Sequence, residues 1–299
     1  MKPPTVNNLK NTDETETAVT SGTRKVAIQG VAGAFHEIAA RQFYSQEQVE
    51  ILPAHTFEEL VQLIENQTAD TGLMAIENTL AGSIMGNYHL LLRSNLLVTG
   101  EVHLRIQQNL MALPGQSIQD IREVYSHPMA IAQCEAWFRQ HPHIRLIEAE
   151  DTALSARMIR QGAMSGAGAI ASELAANMYG LDILAPGIET NKLNYTRFLV
   201  LERSQEAVTA PAADKMSVCF TLPHEVGSLH RVLSVMAAYE LNLTKIQSSP
   251  IAGSPWEYFF FLDFICAGRV DWQQAIEALR PLTANLKVLG AYPQGTRQF

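Results

Sequence analysis

The chain of 299 residues has only three cysteines, Cys134, Cys219 and Cys266, far apart and in no CxxC spacing. That excludes a disulfide framework and a zinc site built on paired thiolates. Thiols so scattered are expected to be buried small hydrophobes in a reducing compartment. No apolar run reaches the roughly 18 residues of a membrane span, and the N-terminus lacks the basic-then-apolar pattern of a secretory signal. Basic residues are outnumbered, 22 Lys and Arg against 30 Asp and Glu, for a formal net charge of -8. Bulk attraction to nucleic acid or to an anionic membrane is excluded on that balance, although a few local donors can still hold a small anion. Charged residues are scarce at 17%, whereas apolar residues make up 47%, which suits buried cores rather than disorder. Together these features predict a cytoplasmic protein of two or three domains.

Residues 1–23 are rich in Asn, Thr, Glu and Pro without apolar period, and predict a disordered tail. Order is expected from Arg24–Gln29, a strand ending at Gly30, with Gly33 and a helix over 35–44 after it. A second helix is predicted over 56–67, with Thr56 as its cap and Glu59 at capping-box distance. Further strands are expected over 71–76, 98–104, 109–113, 124–125, 167–171 and 196–201, and helices over 129–140, 152–162 and 172–179. Such alternation predicts α/β units with mainly parallel sheets, whose ligand crevice lies beyond the carboxyl ends of strands. Residues 204–214 are polar with Ala, Thr and Pro and predict a linker. Beyond it, strands over 216–221, 243–248, 258–264 and 286–292 and helices over 227–239 and 271–282 give the order βαββαβ, a ferredoxin-like module.

Four clusters can carry chemistry. Gly30 and Gly33 lead into a helix, where backbone can approach a ligand and free N–H groups meet an anion; the third Rossmann glycine and the P-loop lysine are both missing. Glu77-Asn78-Thr79 closes an apolar strand and precedes Ala81-Gly82-Ser83. A carboxylate, an amide and two hydroxyls there can orient an oxygen-rich ligand, and an ordinary capped turn uses the same residues. Ser126-His127-Pro128 stands before a helix that either Ser126 or His127 can cap, and His127 can also meet a carboxylate. In Asn194-Tyr195-Thr196-Arg197-Phe198, Arg197 can bridge a carboxylate bidentately or pair with an internal acid. Thr196 offers an uncharged hydroxyl, suited to hydrogen-bonding a neutral leaving hydroxyl.

In order and spacing these motifs resemble the prephenate dehydratases over about residues 25–203. The resemblance is carried by the Gly30-x-x-Gly33-x-Phe35 turn, Ile76-Glu77-Asn78, Gly100-Glu101, Ser126-His127-Pro128 with Gln133-Cys134, and Asn194-x-Thr196-Arg197-Phe198. From residue 215 onward, Gly227-Ser228-Leu229-His230 and Gln247-Ser248-Ser249-Pro250 resemble an ACT domain. Three departures stand out. Ala34-Phe35-His36 replaces the family's Thr-Phe/Tyr-Ser, Ala75 replaces its usual proline, and Gln247-Ser248-Ser249-Pro250 replaces Glu-Ser-Arg-Pro, so a charged pair is missing.

The resemblance implies an α/β fold: a two-lobed, type II periplasmic-binding-protein-like catalytic region over 24–203 and a C-terminal ferredoxin-like βαββαβ ACT regulatory domain over 215–299. It implies that prephenate loses carbon dioxide and its ring hydroxyl to give phenylpyruvate, in phenylalanine biosynthesis, without metal or organic cofactor. Thr196 is then expected to hydrogen-bond the leaving hydroxyl, with Asn78 and Ser126 positioning the ring and carboxylates. His127, Arg197 and the Gly33 turn are expected to supply positive potential, and Ala34, Thr79 and Phe198 to complete the substrate contacts. Phenylalanine is implied as an allosteric inhibitor held by Gly227, Ser228, Leu229, His230, Gln247, Ser248, Ser249 and Pro250, in a homodimer or homotetramer. The resemblance assigns no role to Glu77 or His36. Arogenate dehydratase, acting on the amino analogue, and a non-catalytic amino-acid sensor are the other readings; the hydroxyl of Thr196 disfavours the sensor.

Overall fold

The computed structural model describes residues 22–205, 213–266 and 271–295. All but the last two residues of the tail expected over 1–23, and residues 206–212 of the expected linker, lie outside the described residues.

The first lobe runs β1 (Arg24–Gln29), α1 (Phe35–Phe43), β2 (Val49–Ala54), α2 (Phe57–Glu65), β3 (Thr71–Asn78), β4 (Gly82–Ser83), α3 (Met85–Arg93) and β5 (Leu96–Arg105). The chain then crosses to a second lobe of β6 (Asn109–Ala112), β7 (Glu123–Ser126), α4 (Pro128–Gln133), α5 (Glu135–Phe138), β8 (Arg145–Glu148), α6 (Thr152–Gln161), β9 (Ala167–Ala171), α7 (Glu173–Tyr179) and β10 (Asp182–Ala185). It returns to the first lobe as β11 (Tyr195–Arg203), and this double crossing leaves a cleft between the lobes. The last stretch is β12 (Lys215–Thr221), α8 (Ser228–Ala238), β13 (Leu241–Pro250), β14 (Tyr258–Cys266), α9 (Trp272–Leu279) and β15 (Ala284–Tyr292).

Local rules account for most of these elements. β3 reads as an unbroken apolar run from Gly72 to Ile76 because it is central and covered on both faces; Leu73, Met74 and Ile76 are fully buried. Thr56 caps α2 by accepting from the Glu59 amide at 3.1 Å, while the Glu59 carboxylate reaches past the cap to the His55 amide. One helix was expected over 129–140, but Cys134 leaves the helical region and divides it into α4 and α5. β2, β8, β10 and α3 carry weaker signals: β2 is an edge strand that includes Pro53, and α3 starts at Ile84 without a side-chain cap.

Two sheets result. The second lobe holds a five-stranded sheet in the order β10-β6-β9-β7-β8. The first lobe contributes β5-β11-β3-β1-β2, in which β1 is parallel to β2 and β3, and β11 runs antiparallel to β3 and β5. The C-terminal strands, ordered β13-β14-β12-β15, extend this same sheet through one bridge between Gly290 and Val98. A Cβ on Gly290 would lie 2.1 Å from the Val98 carbonyl oxygen, so only glycine allows the two strands to meet. No helix among the described residues is long and apolar enough to cross a membrane.

Candidate active site

The cleft between the lobes has a volume of about 360 Å³, enough for a small, oxygen-rich metabolite. It opens beyond the carboxyl ends of β1, β3 and β7, as an open α/β sheet favours. From the first lobe, Ala34, His36, Asn78, Thr196 and Phe198 face it; from the second, His127, Gln133 and Asp151 do.

Asn78 is the centre of its polar network. The Asn78 side-chain amide donates to Thr196 Oγ1 at 3.0 Å, to Asn194 Oδ1 at 2.8 Å and to the Tyr195 carbonyl at 3.2 Å. Asn78 Oδ1 accepts from the amides of Leu80 and Ala81, which closes the turn after β3. The strand register sets this up, because Thr196 and Asn78 are directly opposed on β11 and β3. Asn194 passes the network to Gln133 Oε1 at 2.9 Å, and Gln108 donates to the same oxygen at 3.3 Å, so polar contacts span the two lobes. With its oxygen already accepting from Asn78, Thr196 retains its hydroxyl hydrogen, which finds no acceptor among the described residues.

Other donors surround that pair. His127, not Ser126, caps α4; its Nδ1 accepts from the Met129 amide at 3.2 Å, which places the ring hydrogen on Nε2. α1 begins beside the cleft with no side-chain cap on Ala34; the Glu37 carboxylate of its first turn accepts from the Gly33 amide at 2.7 Å, and the amides of Phe35 and His36 are the ones left to meet an anion. His36 packs edge-on to Phe198 with centroids 4.8 Å apart. Burial pushes its pKa down to about 3, so the ring is neutral, and its covered Nε2 has no partner among the described residues. Burial also raises the Asp151 carboxyl, which caps α6 through the Leu154 amide. Among the described residues, no group of three or more His, Cys, Asp or Glu side chains is placed to hold a metal ion.

Four residues expected at the substrate do not line the cleft, and each has a physical reason. Ser126 is fully buried and spends its hydroxyl on the Ile170 carbonyl at 2.7 Å. Thr79 donates to the Leu193 carbonyl and accepts from the Tyr195 amide, which pins the strand ends together. Gly33 supports the lobe contact: its carbonyl accepts from Ser172 at 2.6 Å, and a Cβ there would lie 3.0 Å from Ala175. Arg197 is the largest correction. Its guanidinium faces away from the cleft and donates to Glu101 at 2.7 Å, to Asp263 and to Tyr292 at 3.0 Å. Burial opposes its charge, but Asp263, Tyr292 and Glu101 raise its pKa well above the ordinary value. Lys215 donates to both oxygens of Glu101, and Ser217 donates to Asp263, so the cluster is internally satisfied.

The expected effector residues occupy two elements. Gly227, in the left-handed region, and Ser228, Leu229 and His230 start α8, where Ser228 donates to the carbonyls of Pro223 and Glu225. Gln247, Ser248, Ser249 and Pro250 end β13, with Gln247 accepting from Ser83 and Ser249 bonded to His89 of α3 at 2.9 Å.

The family profile described as prephenate dehydratase matches residues 26–206. The chain belongs to the prephenate dehydratase family. Its members are lyases, and mixed α/β architecture with two sheets is that of solved prephenate dehydratases. The chain is 38% identical over 291 residues to the arogenate dehydratase/prephenate dehydratase 2 of Arabidopsis thaliana, covering 93% of this chain and 75% of that one. The prephenate dehydratase of Arthrobacter aurescens, solved in complex with L-Phe, is 26% identical with a TM-score of 0.79, over 90% of this chain and 89% of that one. A structure described as GqqA, a novel type of quorum quenching acylases, is 28% identical with a TM-score of 0.81, over 91% and 98%. Against this family background, Gln108, Asp263 and Tyr292 carry no local signal in the sequence. Glu101 and Gln133 do, since both fall within motifs that support the resemblance.

Proposed function

We propose that the chain catalyses the decarboxylating dehydration of prephenate to phenylpyruvate, within phenylalanine biosynthesis. The hydrogen bond from Asn78 to Thr196 at the cleft wall is the observation that carries this reading, since it leaves a hydroxyl donor facing the substrate. In the reaction the bond from ring to carboxylate breaks and its electron pair enters the ring as carbon dioxide departs. The ring hydroxyl leaves with its bonding pair and takes up one proton as water. Aromatisation supplies the driving force, so the protein's task is to hold a dianion and assist the departing oxygen. Thr196 donates to that oxygen; threonine is too weak an acid to surrender its proton outright, so solvent replaces it by relay. His127 Nε2 and the first amides of α1 face the carboxylates, while Phe198 and Ala34 complete the wall. A fixed donor of this kind contributes roughly a hundredfold or more when aimed at developing charge.

Residues 24–203 form the catalytic region in this reading, and the βαββαβ module from 215 is an ACT domain that binds phenylalanine as feedback inhibitor. The L-Phe complex of the Arthrobacter aurescens relative supports that effector. A homodimer or homotetramer in the cytoplasm belongs to the same proposal, and the three free cysteines suit a reducing compartment. Arogenate is the second substrate to weigh, because the Arabidopsis thaliana relative carries both activities in its name. The acylase description of one structural relative gains no support from the cleft, where no described hydroxyl or thiol is hydrogen-bonded to a histidine.

Purified protein with prephenate is expected to form phenylpyruvate, read by its enolate absorbance in base, and to slow with added phenylalanine. Turnover of arogenate alone would move the substrate to the amino analogue. No turnover of either compound by a folded sample would overturn the dehydratase reading.

A further inference from the structure

Beyond the opposed pair Asn78 and Thr196, the next opposed pair on β3 and β11 is Glu77 and Arg197. Opposed residues of an antiparallel pair share a face, and successive residues alternate between faces. The first pair faces the cleft, so the second faces the other way, and there it meets the C-terminal module. Lys245 of β13 donates to Glu77 Oε2 at 2.7 Å and to Ser83 Oγ at 2.7 Å, with its own side chain only 9% exposed. Arg197 meets Asp263 of β14 and Tyr292 of β15. Neither Lys245 nor Glu77 lines the cleft.

We infer that Lys245 is a positioning residue for the reaction, acting through Glu77 on the strand pair that sets the Asn78–Thr196 hydrogen bond. The inference rests on the dehydratase reading. Its physical basis is the state of the strand ends. β3 stops at Asn78, its last two residues pair on the side away from β11 with the two-residue β4, and the β3–β11 ladder is irregular between Arg197 and Phe198. Thr79 fixes this end to β11, and Lys245 is what fixes it to the C-terminal module. The Asn78 amide also divides two hydrogens among three acceptors, so small shifts in register change which oxygen it serves. Lys245 ties the end of β3, the start of β4 and β13 into one unit. Without it, Glu77 loses its nearer partner and, with its carboxylate oxygen 4.0 Å from the Arg197 guanidinium, turns toward the group that Glu101 and Asp263 already hold. Arg197 adjoins Thr196, so that shift reaches the catalytic hydroxyl.

The test uses the full chain. Wild-type turnover is measured first; its absence in a folded sample removes the dehydratase reading and this inference with it. Given turnover, Lys245→Met is expected to lower kcat about tenfold, with KM changed by less than about threefold, as loss of an interaction felt mainly in the transition state requires. Lys245→Arg, which keeps a cation, recovers most of that loss. In an Asn78→Ala background the Lys245→Met substitution causes no further fall, because the hydrogen bond it supports is already gone. A merely structural defect would multiply through both backgrounds. Wild-type kcat in Lys245→Met, or an equal fold-loss with and without Asn78, overturns the inference. If Lys245→Met does not fold, Glu77→Gln is measured in the same two backgrounds and decided by the same outcomes.

Discussion

Thr196 and Arg197 are neighbours on β11 yet belong to different parts of the molecule: the hydroxyl of Thr196 meets Asn78 at the cleft, while the guanidinium of Arg197 is enclosed by Glu101, Asp263 and Tyr292. Strand alternation separates them. One short motif therefore serves both the wall of the cleft and the joining of the C-terminal strands to the first lobe.

Thr196→Val keeps the shape of the side chain and removes the donor. We expect kcat to fall by roughly 10²–10³-fold with little change in KM or melting temperature. Thr196→Ser should retain much of the activity. Steady-state kinetics with circular dichroism would check this, and a valine variant with normal turnover would take Thr196 out of the mechanism.

Arg197→Ala leaves Glu101 and Asp263 buried without their shared partner. The cost is expected at about 3–5 kcal/mol of folding stability, read by urea denaturation. Arg197→Lys should also lose stability, because one ammonium cannot reproduce three donors directed at Glu101, Asp263 and Tyr292. A variant that unfolds normally but binds substrate poorly would restore Arg197 to the substrate.

Gly290→Ala places a methyl group against the Val98 carbonyl, at a distance no packing adjustment of a side chain relieves. We expect a lower melting temperature and faster proteolysis, with the first lobe's own core intact. Limited proteolysis followed by mass spectrometry would locate the cut.

His36 gives a pH signature. Its pKa in the folded chain, about 3, lies below the ordinary 6.5 because of burial. Between those values the unfolded chain binds a proton that the folded chain does not. The group's contribution to stability is therefore whole above about pH 6.5 and is lost as pH falls toward 3. His36→Phe, which suits a wall already containing Phe57 and Phe198, should flatten the fall in melting temperature between pH 7 and pH 4. An unchanged acid limb would place the titrating group elsewhere.

The elements that were easiest to anticipate are those whose neighbours impose a uniform environment. β3 from Gly72 to Ile76 and β9 are apolar because both faces are covered, and α2 declares itself through Thr56 at its cap. β2, β8 and β10 are short or sit at sheet edges, where half-exposed residues and Pro53 blur the alternation. The site was legible in part for a related reason. Asn78, His127 and Thr196 lie at or next to the ends of elements whose position is local, and they face the cleft together with Phe198. Ser126 has the same kind of position, but a one-residue difference on β7 turns it into the sheet, toward Ile170.

From the sequence alone came the order of α and β elements, the apolar cores they imply, the family, and the residue types available at each strand end. These depend on near neighbours along the chain, whose side-chain periodicity and backbone preferences are local properties. Partner choice was decided by the tertiary structure. An arginine announces its charge but not which acids will enclose it, and Arg197 lies 66 positions from Asp263 and 95 from Tyr292. Glu77 likewise lies 168 positions from Lys245. Only when β12 to β15 extend the first lobe's sheet do those charges come within hydrogen-bonding distance. Burial then makes their pairing obligatory, because an isolated charge inside the fold would cost more than the pairing does.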